Sequence, residues 1–209
     1  MRIEKDTLKE IPEDPFTDSD VQRYGLLPLT PLPSSLYFQP MTRICGGKWK
    51  GRKLSSPSGI RLTSGRVKEA LFSMVDVEGK DFLDLFAGSG AVGIEALSRG
   101  AKNAVFVEKR REIVKIIKKN LENLGGVGKV IRGDAERVVR KMEEKFDVIF
   151  MDPPYERGYV ERVLPLLPSL LREEGIIVVE HSKREPAELP GFEKKEKIYD
   201  DTVLTLFWR

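Results

Sequence analysis

Asp84-Leu85-Phe86-Ala87-Gly88-Ser89-Gly90-Ala91-Val92-Gly93 is the stretch on which the fold turns. The apolar run Phe82–Phe86 leads into it and reads as a strand, and Ala91–Ser98 leaves it with helical periodicity and stops at Gly100. Gly88, Gly90 and Gly93 have the G-x-G-x-x-G spacing of loops that let a nucleotide approach the backbone. Glu108 lies twenty positions after Gly88, at the end of the next predicted strand, Ala104–Val107. An acid there can grip a pair of ribose hydroxyls.

Outward from this unit the alternation continues. Arg111–Leu124 reads as a helix closed by Gly125-Gly126, Lys129–Ile131 as a strand, and Ala135–Glu143 as a helix. Phe146–Met151 reads as a strand, Val160–Leu171 as helical, and Ile176–Glu180 as a strand. Two late strands, Glu193–Tyr199 and Val203–Trp208, are separated by the short Asp200-Asp201 connection and so form an antiparallel hairpin at one edge. The pattern predicts an α/β domain over residues 76–209, with a mostly parallel seven-stranded sheet, helices on both faces and an antiparallel C-terminal hairpin.

Charge selects the ligand of the glycine loop. Asp84 stands at the carboxyl end of its strand, where a carboxylate repels a pyrophosphate and attracts an ammonium. S-adenosyl-L-methionine carries an ammonium and a sulfonium and no phosphate, so the site reads as one for that cofactor rather than for a dinucleotide. Asp134 follows the third strand on the same edge. It either accepts from an adenine amine or caps the helix that begins at Ala135, and both roles are compatible. Phe86 and Ala135, on the same two loops, complete the candidate cofactor set. For Asp84 itself, a capping role at the loop is the alternative.

The fourth strand runs into Asp152-Pro153-Pro154-Tyr155. Two prolines remove two N–H donors and stiffen the backbone, leaving a rigid loop rich in acceptors. Acceptors so placed suit a planar amine, whose two N–H bonds they align while drawing its lone pair out of conjugation. Tyr155 offers a face on which a base can stack, worth about 1–3 kcal/mol. Asp152 can steady the charge that grows on a methylated amine and accept its proton. Cys45, outside this loop, is not placed for the covalent route of carbon methylation. His181, the only histidine, reads as structural.

The net charge of +3 conceals an uneven distribution. Residues 41–68 hold Arg43, Lys48, Lys50, Arg52, Lys53, Arg61, Arg66 and Lys68 and no acid. That is the footprint of a polyanion binder, the alternative being a solvated face. Gly46-Gly47 and Gly51 suggest a small hairpin here, and Ser64 is placed to cap a helix whose Val67, Ala70, Leu71 and Met74 share a face. Residues 41–75 are therefore expected to form a basic arm and helix. Residues 1–40, net −3 with six of the thirteen prolines, read as an irregular or disordered extension, either a tail or an over-long start. One cysteine and one histidine argue against a disulfide or a metal centre, and no run approaches the roughly 20 apolar residues of a membrane span. The expectation is a cytoplasmic protein, monomeric and without a metal.

Three segments together resemble the RsmD family of bacterial small-subunit ribosomal RNA methyltransferases. They are Arg43-Ile44-Cys45-Gly46-Gly47-Lys48-Trp49-Lys50-Gly51-Arg52-Lys53-Leu54, then Arg61-Leu62-Thr63-Ser64-Gly65-Arg66-Val67-Lys68-Glu69-Ala70-Leu71-Phe72, and the glycine loop with Asp152 to Tyr155. The likeness covers residues 41–209 and implies a Rossmann-like class I methyltransferase. The family's reaction is transfer from S-adenosyl-L-methionine to the exocyclic N2 of a guanine in 16S ribosomal RNA, in the small subunit or an assembly intermediate. The resemblance implies Asp84, Gly88, Gly90, Glu108 and Asp134 at the cofactor and Asp152, Pro153 and Tyr155 at the amine. It implies Arg43, Lys48, Lys50, Arg52 and Lys53 on RNA phosphates, with Trp49 either stacking on RNA or packing on the domain, and Arg66 on RNA or cofactor. Leu62 replaces the family's usual proline, and Gly65 stands where an acid is common. A DNA amino-methyltransferase and a silent RNA-binding assembly factor are the rival readings.

Overall fold

The glycine stretch lies between a strand and a helix, as its sequence requires. The computed structural model describes residues 41–56 and 63–209. The expected extension over 1–40, and Arg61 and Leu62 of the basic block, lie outside the described residues. Strand β1 (Met41–Arg43) pairs antiparallel with β2 (Lys53–Ser55) around a 3-10 turn at Gly47–Trp49. Helix α1 (Gly65–Met74) follows, and the Ser64 hydroxyl accepts from the Val67 N–H at 3.2 Å, the cap read from the sequence.

Then come β3 (Asp81–Leu85), α2 (Ala91–Ser98), β4 (Asn103–Glu108), α3 (Arg111–Leu124), β5 (Lys129–Arg132) and α4 (Ala135–Val139). The chain continues with β6 (Phe146–Met151), α5 (Tyr159–Val163), β7 (Leu171–Ser182), β8 (Glu193–Tyr199) and β9 (Thr202–Trp208). The seven strands order as β5-β4-β3-β6-β7-β9-β8. All pairs from β5 to β7 are parallel, and β9 runs antiparallel to both its neighbours.

Strand periodicity separates two apolar layers. Phe82, Phe106 and Phe150 stand with Ile94 of α2 and Ile117 of α3, while Leu83, Val107 and Ile149 stand with Val163 and Leu167 on the opposite face. Each such fully buried side chain contributes roughly 1.5–3 kcal/mol. After β3 the chain builds outward through β4 and β5, then returns to lay β6 on the other side of β3. That reversal opens a crevice beyond the carboxyl ends of β3 and β6, the place where open α/β sheets bind ligands.

Three elements differ from the sequence reading by more than one residue at an end. The helix expected over Ala135–Glu143 ends at Val139, because Lys141 and Met142 donate to Val138 and Val139 in tight i,i+3 turns that set Met142 against the core. The helix expected over Val160–Leu171 is α5 followed by 3-10 turns at Leu164–Leu170, since Pro165 and Pro168 offer no N–H to an α-helical ladder. The strand expected over Ile176–Glu180 runs from Leu171 to Ser182, with an irregularity in its pairing to β6. No helix among the described residues is long and apolar enough to cross a membrane.

Candidate active site

Strand register brings the two decisive loops together. Leu85 pairs with Met151, so the glycine loop and the Asp152 loop leave adjacent strands at one level, and the Asp152 N–H donates to the Leu85 carbonyl at 3.5 Å. Between them lies a cavity of about 400 Å³. Its walls include Asp84, Glu108, Asp134 and Ala135 on one side and Asp152, Pro153 and Pro154 on the other, with Phe86 and Gly88 also lining it.

Asp84 is buried, and its Oδ2 accepts from the Gly93 N–H at 2.9 Å. Asp84 thus steadies the first turn of α2 and also lines the cavity. The approach requires glycine at 93, where a Cβ would come within 2.4 Å of the Phe106 ring and 3.0 Å of Asp84 Oδ2. Burial pushes the Asp84 carboxyl up to about 7; the Gly93 N–H opposes the rise and the Glu108 charge adds to it. Glu108 Oε2 accepts from the Gly88 N–H at 3.1 Å and Oε1 from the Arg110 N–H at 2.9 Å, so its carboxylate is held at the cavity wall. Asp134 stands at the N-cap position of α4, yet its side chain makes no capping bond and meets the Lys109 ammonium at 3.3 Å.

These groups fit S-adenosyl-L-methionine. A cavity of this size suits a small cofactor. Three carboxylates suit an ammonium, a ribose diol and an exocyclic amine, and they disfavour a pyrophosphate. Phe86 holds φ +61, unusual for a non-glycine, at the turn out of β3. Such backbone strain, of order 1–3 kcal/mol, concentrates at functional loops.

Tyr155 is placed otherwise than the stacking role requires. It is half-buried, with its hydroxyl 3.4 Å from Glu180 Oε1 and 3.1 Å from Thr202 Oγ1, and it is not among the residues lining the cavity. The aromatic lining comes instead from Phe86, Phe150 and Tyr159, with Phe86 and Tyr159 edge to face at 5.1 Å. His181 is buried with one ring nitrogen at Thr205 Oγ1 (2.7 Å) and the other at the Ser182 carbonyl (3.0 Å), a structural placement. Burial raises the Cys45 thiol, and its contacts are the Arg43 and Gly65 carbonyls, away from the cavity.

The hairpin is docked rather than free. Gly47 has φ +75, and a Cβ there would meet the Ser98 carbonyl oxygen at 1.9 Å. The Ser98 hydroxyl donates to the Gly46 carbonyl at 2.6 Å and accepts from the Trp49 N–H at 2.9 Å. Trp49 packs against the core near Gly126 with the Lys48 ammonium 4.4 Å from its ring centre, which favours packing over an open stacking face. Asn120 of α3 exchanges hydrogen bonds with Ser55, and Arg52 donates to the Asn123 carbonyl. Arg43, Lys48, Lys50, Arg52, Lys53 and Arg66 remain exposed.

Residues 42–208 match the family model described as Conserved hypothetical protein 95, the RsmD family. The chain belongs to that family. Ribosomal RNA small subunit methyltransferase D of Escherichia coli is 39% identical over 145 residues, 66% of this chain and 73% of the relative. The Bacillus subtilis protein YlbH is 40% identical over 159 residues, 71% of this chain and 85% of the relative. The solved structure of the Escherichia coli protein yhhF superposes with a TM-score of 0.75 at 36% identity, over 81% of this chain and 98% of that one.

Thr63 and Lys68 of this RsmD-family chain hold places that the sequence reading did not give them. Thr63 lines the cavity, and its hydroxyl donates to Asp152 Oδ2 at 3.2 Å, joining the arm's segment to the acceptor loop. Its place directly before the Ser64 cap was the available signal. Lys68 corrects the basic block: it is wholly buried, its ammonium 3.0 Å from Glu95 Oε2 and 2.6 Å from the Arg43 carbonyl. Glu95 also takes the Arg99 guanidinium at 2.9 Å. Lys68 therefore ties α1, α2 and β1 together and offers no charge to a ligand. Its helical spacing among Val67, Ala70 and Leu71 foreshadowed the burial.

Proposed function

We propose that this chain transfers a methyl group from S-adenosyl-L-methionine to ribosomal RNA of the small subunit, at the exocyclic N2 of a guanine. The observation that carries the reading is that one and the same cavity is lined by Asp84, Glu108 and Asp134 and by Asp152-Pro153-Pro154. The name of the Escherichia coli relative supports a small-subunit ribosomal RNA substrate. The choice of guanine N2 rests on the resemblance and on an acceptor loop suited to a planar amine.

The bound cofactor supplies an electrophilic methyl group. Asp84 favours its ammonium, Glu108 its ribose and Asp134 its adenine. Asp152 accepts an N–H of the target amine, steadies the positive charge that grows on nitrogen and takes the proton the amine sheds. Pro153 and Pro154 keep the loop rigid, so catalysis rests on positioning. Tyr155 anchors the loop through its hydroxyl. Arg43, Lys48, Lys50, Arg52, Lys53 and Arg66 contribute phosphate contacts, with Trp49 as their support. The target base leaves its stack to reach the cavity.

The test is a methyl-transfer assay on small ribosomal subunits that lack the modification, beside duplex DNA. Transfer to subunit RNA, with N2-methylguanine as product by mass spectrometry, is expected. Asp152→Ala should lower the rate about 10²–10⁴-fold with cofactor affinity retained. Transfer to DNA alone would overturn the proposal.

A further inference from the structure

The loops that follow β6 and β7 are tied to each other at the carboxyl edge of the sheet. The Glu156 N–H donates to Glu185 Oε2 at 2.9 Å, the Ser182 hydroxyl donates to Glu156 Oε1 at 3.4 Å, and the Glu185 N–H donates to the Ser182 carbonyl at 3.0 Å. Glu156 holds φ +57, a left-handed conformation that costs a non-glycine residue about 1–3 kcal/mol and that these bonds maintain. Glu156 and Glu185 thus each accept from a neutral donor, and the Lys183 N–H donates to the Asp201 carbonyl at 3.2 Å, so the Asp200-Asp201 turn adjoins the same loop.

The cations beside them are not so engaged. Arg157, Lys183 and Arg184 are exposed. Among the described residues Arg157 and Lys183 have no carboxylate within ion-pair distance, and Arg184 reaches only Glu156, at 3.8 Å with its side chain 83% exposed. An exposed pair at that distance contributes about 0–1 kcal/mol and leaves the guanidinium available. Pro153, Pro154 and Tyr159, which bracket Glu156-Arg157 in the chain, line the cavity. Arg157 therefore sits on the loop that forms its acceptor side, and Lys183 and Arg184 sit on the loop after β7 that Glu156 ties to it. The cations at the hairpin's tip sit elsewhere: Lys48 and Lys50 flank Trp49, which meets Ser98 and Gly126 at the ends of α2 and α3 remote from the glycine loop.

A base that leaves its stack to enter the cavity carries its own flanking phosphates to the mouth. We propose that Arg157, Lys183 and Arg184 form a phosphate-gripping rim for the RNA backbone next to the target nucleotide, a surface separate from the arm. The inference rests on the RNA reading above and adds the contact nearest the chemistry.

The test replaces all three by Gln in the full chain. The salt slope of binding to small-subunit RNA should fall by about 0.7 per lost phosphate contact, roughly two units for three. kcat/KM for RNA should fall at least tenfold, with cofactor affinity and thermal midpoint as in the wild type. Unchanged slope and kcat/KM would overturn the rim. A defect seen with intact subunits and absent with their extracted RNA, both bound by the wild type, would assign the surface to a ribosomal protein and overturn it as well. A wild-type chain that neither binds nor methylates RNA would refute the proposed function instead, which keeps the two failures apart.

Discussion

In the hairpin at 41–55, charges adjacent in the sequence are spread around a docked element. Gly46 and Gly47 press on Arg99 and Ser98, Trp49 is packed, and Lys68, the last cation of the basic block, is buried against Glu95. In the acceptor loop and its neighbour after β7, Arg157, Lys183 and Arg184 come from two distant segments whose loops are tied through Glu156, and all three are exposed. A dense run of charge is thus a poor map of where charge is offered. Burial decides it, because an ion pair removed from water must be matched by a partner while an exposed cation need not be.

The largest effect that would sharpen this contrast is on stability. Lys68→Ala leaves Glu95 buried with only Arg99 and should destabilise the fold by about 3–5 kcal/mol in denaturant unfolding. Lys68→Met combined with Glu95→Leu should recover most of that loss. A single-variant change within about 0.5 kcal/mol, the range of an ordinary surface substitution, would show that the pair does not hold the arm.

Next is the junction between the two regions. Thr63→Val removes a hydroxyl that donates to the Asp152 carboxylate. Hydrogen bonds to charged groups contribute about 1.5–3 kcal/mol, so kcat should fall on the order of 10- to 100-fold with cofactor affinity unchanged. Thr63→Ser should restore it; equal loss in both variants would make the residue a matter of packing alone.

The smallest effect is one of pH. The Asp84 carboxyl sits at about 7, and a ligand ammonium needs it ionised. Below that pH the proton must leave before the cofactor binds, so affinity should weaken by up to about tenfold per pH unit as pH falls and level off above it. Calorimetry across pH 6 to 8 reads this directly, and a flat profile would mean that Asp84 serves only the Gly93 turn.

The sheet was legible because its causes are local. Gly88, Gly90 and Gly93, the caps at Ser64 and Gly125, and period-two apolar runs each specify their own stretch of backbone. The cavity acids were legible because they end strands of one parallel sheet. What escaped was set by tertiary packing. Two prolines turned a long helix into 3-10 turns, Met142 shortened another, and the Tyr155 hydroxyl found Glu180 and Thr202, which the sequence places 25 and 47 positions away. Thr63 met Asp152 across a separation of 89 positions, a contact no window of sequence contains.

The pairing of Leu85 with Met151 has a consequence for motion. The glycine loop and the Asp152 loop hang from neighbouring strands in the interior of the sheet, the last part of such a fold to open. Partial opening at the edges, through the β8–β9 hairpin or β5, leaves the spacing between them intact. On the proposed function, methyl donor and target amine would therefore keep their alignment through opening at the sheet edges.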